Sequence, residues 1–260
     1  MQSVLALLAT VASAAFALSV LRQWWQRGRA YQLAWGVSLA MFAAGSAALT
    51  IGVSFGWAPL TFRVYYLFGA LLTVPVLAIG TLELLASRPV ARAYLAAVAA
   101  FSVVSIALLA AAPIGPGDLA GELPEGKLFL PLAVRLLAGA GNAVGTLIVV
   151  GGTLVTVVRA ARAEVGRGSS DKRDRRGWYR ERRVQGTTLI AAGVLLAAAG
   201  GSIAAIGRSA SLALALALGA SVMYLGFRRA SAPRRTLERT RKRIRKRVRW
   251  RRHTESPAGP

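Results

Sequence analysis

The chain has 260 residues, of which 55% are hydrophobic and 17% charged, and its formal net charge is +23. It has no cysteine and one histidine, His253, near the C-terminus, so thiolate chemistry and disulfides are excluded and a histidine-built metal site is disfavoured. The mean hydropathy of +0.51 exceeds that of an ordinary soluble domain, and the apolar residues come in blocks about as long as a bilayer is thick.

Seven such blocks follow one another, at 4–21, 31–55, 65–86, 93–112, 128–158, 187–206 and 210–227. They are too long, too rich in Ala and Leu, and too little alternating to be barrel strands. Helices are then what satisfies the backbone in lipid. The reading is an all-α bundle of seven transmembrane helices over residues 1–227, followed by a basic tail at 228–260. The first block is not expected to be a cleaved signal peptide. Met1, Gln2 and Ser3 carry no charge, and Arg22, Arg27 and Arg29 come after the apolar run.

The connecting segments alternate in charge. RQWWQRGR and SRPVAR are basic, 159–183 is net +6, and 228–252 is net +13. The opposite set holds only Arg63, the acidic and Gly/Pro-rich PIGPGDLAGELPEGK, and Arg208. An excess of Lys and Arg marks the cytoplasmic side, so the N-terminus is expected outside and the C-terminus inside an inner membrane. Trp24, Trp25 and Trp35 then fall at the inner interface and Trp57 at the outer.

Small residues offer close helix approach at Gly52 and Gly56, Gly141 and Gly145, and Gly200 and Gly201. The third block, FRVYYLFGALLTVPVLAIGTLELLASR, holds the densest set of polar candidates. Pro75 removes a donor near its middle and leaves a carbonyl free, which Thr73 is placed to satisfy. Glu83 is the one acid in any block, a candidate for proton coupling; it also lies within about a turn of the inner boundary, in reach of Arg88 or Arg22. Arg63, Tyr65 and Tyr66 start the block at the outer face, as a ligand site or as an aromatic belt with one snorkelling cation.

The fifth block carries Arg135 and Asn142. Arg135 is expected beyond the hydrocarbon, pairing with Glu122, Glu125 or lipid headgroups. Asn142 lies deeper, either as an interhelical hydrogen bond in a tight contact or as a cavity polar group. Thr73, Pro75, Glu83 and Asn142 form the candidate intramembrane polar site. The sixth and seventh blocks contain no lysine, so a retinal Schiff base has no amine to form on.

Two resemblances emerge. FAAGSAALTIGVS in the second block echoes AAAGGSIAAIGRS in the sixth. A 3+1+3 repeat of this kind resembles the SWEET sugar transporters, although their Pro-Gln signature is missing. Arg63 to Ala70, with Val74, Pro75, Gly80 and Thr81, resembles a pattern in uncharacterised seven-helix proteins of actinobacteria, which implies topology and a bacterial source but no activity.

The tail segment TLERTRKRIRKRVRWRR, 236–252, places Leu237, Ile244 and Val248 on one helical face. Arg241, Lys242, Arg243, Arg245, Lys246, Arg247 and Arg249 then meet anionic headgroups of the cytoplasmic leaflet or a cytoplasmic protein partner. Nucleic-acid binding rests on charge alone and is disfavoured.

The expected function is binding or transport of a small or lipid-like molecule within the bundle. The alternative is an anchor that holds a partner or anionic lipid through the third inner loop and the tail. Enzymatic activity is disfavoured, because no nucleophile–base pair, paired-acid motif or metal set is present, and no cofactor is expected.

Overall fold

The computed structural model describes residues 2–114 and 130–165, together with 189, 192, 193, 196, 218, 219 and 221–225. The described residues are all-helical, with no strand among them. Among the described residues, five helices are long and apolar enough to cross a membrane. They are α1 (Gln2–Arg27), α2 (Ala30–Phe55), α3 (Pro59–Leu85), α4 (Arg88–Ala111) and α5 (Leu132–Val165). Parts of the sixth and seventh blocks are described, and those residues are helical too.

The helices run past the apolar blocks. The segment RQWWQRGR was expected as a connection, but α1 continues to Arg27 and only Gly28 and Arg29 link it to α2. Likewise α3 begins at Pro59 and α4 at Arg88, ahead of their apolar cores. Hydropathy marks where hydrocarbon ends, whereas Arg, Gln and Trp continue a helix into the headgroups at little cost. Helix ends are set instead by the connecting residues. Gly28 ends α1 at φ +62° and Gly56 ends α2 at φ +92°, backbone states that glycine adopts without a Cβ clash. Pro59 and Pro89 open α3 and α4, where a missing N–H costs nothing.

Cross-helix contacts give the direction of each element. Thr10 meets Thr50 at 3.4 Å and Gln32 donates to Gln23 at 3.3 Å, so α1 and α2 are antiparallel. Ser38 donates to the Thr73 carbonyl at 2.7 Å, and Gly45 lies on the Gly69 backbone, so α2 and α3 are antiparallel too. Helix α5 lies along α3 in the same direction. Asn142 faces Ala70, Gly145 faces Val74 and Gly152 faces Thr81, a nearly constant offset along both chains.

The apolar side chains divide between a core and an outward face. Phe62, Leu71, Leu72, Leu109, Val134 and Ala138 form one buried cluster. Phe16, Val20, Leu39, Ala78, Val149 and Met223 form another, which brings the seventh block against α1, α3 and α5. Outside these, Val4, Leu7, Leu8 and Val11 stand exposed along one face of α1, and Val103, Val104, Leu136, Val144 and Leu147 stand exposed on α4 and α5. So continuous an apolar exterior suits acyl chains and not water. The molecule is a helical membrane protein.

Candidate functional site

Helix α3 is one span built in two registers. It is α-helical over Pro59–Tyr65, π-helical over Tyr66–Leu72, and α-helical again over Thr73–Leu85. The wide turn ends just before Pro75, which supplies no N–H to a carbonyl four or five residues earlier, Leu71 or Ala70. In hydrocarbon no water replaces a lost donor. Side chains do so here.

Asn142 of α5 donates its amide N–H to the Ala70 carbonyl at 2.7 Å. The Thr73 hydroxyl turns back to the Phe68 carbonyl. Ser38 of α2, fully buried, donates to the Thr73 carbonyl at 2.7 Å. The Tyr94 hydroxyl of α4 lies 3.5 Å from the Pro75 carbonyl, at the limit of a hydrogen bond. Three neighbouring helices thus converge on one break.

Glycines bring the helices close enough for this. A Cβ on Gly145 would lie 2.9–3.0 Å from the side chain and backbone of Val74. One on Gly141 would lie 2.7 Å from Phe101 and 3.3 Å from the Pro75 ring. On the other side of α3, a Cβ on Gly45 would lie 2.9 Å from the Gly69 nitrogen. Asn142 sits between Gly141 and Gly145 and reaches a main-chain acceptor only because α5 approaches this closely.

Thr73, Pro75 and Asn142 are therefore brought together. Glu83 is not among them. It sits half-buried more than two turns further along α3, and among the described residues it makes no ion pair with Arg88 or Arg22. Gly52 packs on the Trp57 ring, but nothing lies within 4 Å of a Cβ on Gly56, whose role is to end a helix. Gly200, Gly201 and the tail residues Arg241 to Arg249 lie outside the described residues. Ser38, Gly45 and Ala70 complete the site, although composition and spacing do not single them out as site residues. A lone serine in an apolar helix was the available signal for Ser38, and a backbone carbonyl carries none.

The candidates expected at the outer face form a second group. Trp57, expected at the lipid interface, is turned inward. Its ring lies 6.0 Å from that of Phe62 and 5.4 Å from that of Tyr65. Phe62 is fully buried and 5.8 Å from Tyr66. Burying the indole against Gly52 fills space that a glycine leaves open. Arg63 is half-buried and donates to the Ala112 carbonyl at 3.0 Å. Arg135 is exposed near the start of α5.

No family model, no curated protein and no solved structure matches this chain. The class is set by the fold alone, a helical transmembrane bundle whose third span is broken at mid-depth and held by its neighbours.

Proposed function

We propose that this is a multi-pass protein of the bacterial inner membrane, with seven spans, that binds or transports a small or lipid-like molecule within its bundle. The N-terminus lies outside and the C-terminus in the cytoplasm. Arg22, Arg27, Arg29, Arg88 and Arg92 share one end of the bundle, the end that the charge rule makes cytoplasmic.

The observation that carries the reading is the π-helical turn at Tyr66–Leu72 followed by Pro75. Such turns are costly and recur at functional sites, and broken spans line the midplane sites of transporters. A break held by side chains of α2 and α5 is also a joint. Its bonds are single contacts that exchange more readily than a helical ladder, so the outer part of α3 moves against the inner part when the occupant comes and goes.

The anchor reading has one observation in its favour. Ser38, Thr73 and Asn142 all spend a donor on backbone carbonyls, which is what a packed scaffold does. Native mass spectrometry of the protein from a mild detergent separates the two. A stoichiometric small molecule or lipid that survives purification supports the binding reading. A bare mass, with a protein partner that co-purifies only when 228–252 is intact, supports the anchor.

A further inference from the structure

The end of the bundle that holds Trp57 and Ala112 carries two arginines and, among the described residues, no acid. Arg63 places one Nη2 donor on the Ala112 carbonyl, which already accepts the Ile114 N–H at 2.9 Å. The Arg63 Nε atom is buried and has no hydrogen-bond partner. A guanidinium presents five N–H donors in a rigid fork, and a carbonyl answers one of them without answering the charge. Arg135 follows Val134 at the start of α5, and Val134 packs in one buried cluster with Phe62 and Tyr66 of α3, so both arginines belong to the same end of the bundle. The Tyr65, Phe62 and Trp57 rings pack against one another at this same end.

We infer that Arg63 and Arg135 bind a phosphate-type oxyanion at this end of the bundle. Charge-assisted forks of this kind match the oxygens of phosphate, and a tetrahedral anion offers enough of them for two separate arginines. Arg63 lies 22 residues from Leu85, roughly 33 Å at 1.5 Å per residue, which puts it at the far edge of the hydrocarbon. Lipid phosphates and free phosphate compounds both reach that depth. The site stands whether or not any molecule enters the bundle below it. Its rivals as counter-ion are Asp118, Glu122 and Glu125, which lie outside the described residues.

The test uses the full chain in phosphatidylcholine nanodiscs, with two arms. In the first, inorganic phosphate is titrated and the thermal unfolding midpoint is read. In the second, phosphatidylglycerol is included and retained lipid is counted by native mass spectrometry. Arg63→Gln and the exposed-site variant Arg135→Gln are expected to need at least tenfold more phosphate for the same shift, or to retain one phosphatidylglycerol fewer. Arg63→Lys retains most of the effect. A response in the first arm alone assigns the site to free phosphate, and in the second alone to a lipid headgroup. Unchanged behaviour of both glutamine variants in both arms overturns the proposal. So does a triple variant, Asp118→Asn with Glu122→Gln and Glu125→Gln, that gains a phosphate dependence the parent lacks, since those acids then hold the arginines.

Discussion

The side-chain amide of Asn142 reaches across from α5 to the main-chain carbonyl of Ala70, one residue past Gly69 in the π-helical turn of α3, at 2.7 Å. This one bond ties the fifth span to the break in the third. Removing it leaves a carbonyl in hydrocarbon without a donor. Interhelical bonds of this kind contribute about 0.6–2 kcal/mol. Asn142→Ala is expected to lower unfolding stability in a detergent–denaturant titration by about that amount.

Pro75→Ala restores an N–H to the turn that Asn142 serves. The two residues are then coupled. In a double-mutant cycle, Asn142→Ala should cost less in the Pro75→Ala background, with an interaction energy above about 0.5 kcal/mol. Additive effects in the same titration would show that Asn142 does not compensate for the proline.

Two glycines of α5 provide a matched comparison. A Cβ on Gly145 meets the backbone of Val74 at 3.0 Å, whereas one on Gly139 meets nothing within 4 Å. Gly145→Ala must push α5 away from α3 and should destabilise by about 1–3 kcal/mol. Gly139→Ala gains helix propensity, so it is expected to be neutral or stabilising by up to about 1 kcal/mol. Equal thermal shifts for the two would contradict the close packing at Gly145.

Because the chain has no cysteine, single cysteines report sidedness without background. Ala58 and Ser87 are exposed at opposite ends of α3. Ala58→Cys should react with a membrane-impermeant maleimide on intact cells. Ser87→Cys, beside Arg88 and Arg92, should react only after permeabilisation.

Much of the bundle was legible because lipid imposes a simple rule on sequence. A helix in hydrocarbon must be apolar, so α1 to α5 each announced themselves. Their ends did not, since Arg27 and Arg88 are as acceptable in a helix as beyond it. Pro75, Thr73 and Asn142 were legible as polar or helix-breaking residues among Ala and Leu. The π-helical turn was not. After Tyr66 the segment YLFGALL is apolar, and a change from four-residue to five-residue bonding leaves no mark on composition. Asn142 stood out between its glycines, but its partner is the main chain of Ala70, which any residue type would offer. Trp57 was read as a belt residue because tryptophan favours interfaces, yet the space above Gly52 drew its ring inward.

Under the proposed function, the part of α3 before Tyr66 moves about the break while the part after Pro75 stays fixed. Double electron–electron resonance between spin labels tests it. One pair, at Leu7 and Leu60, joins α1 to α3 outside the break, and a second, at Trp25 and Leu84, joins the same helices inside it; all four positions are exposed. The Leu7–Leu60 pair is predicted to give two distances whose populations shift when the bound molecule is stripped and restored, while Trp25–Leu84 keeps one. A single unchanged distance for both pairs would contradict the account and leave α3 as a rigid part of a scaffold.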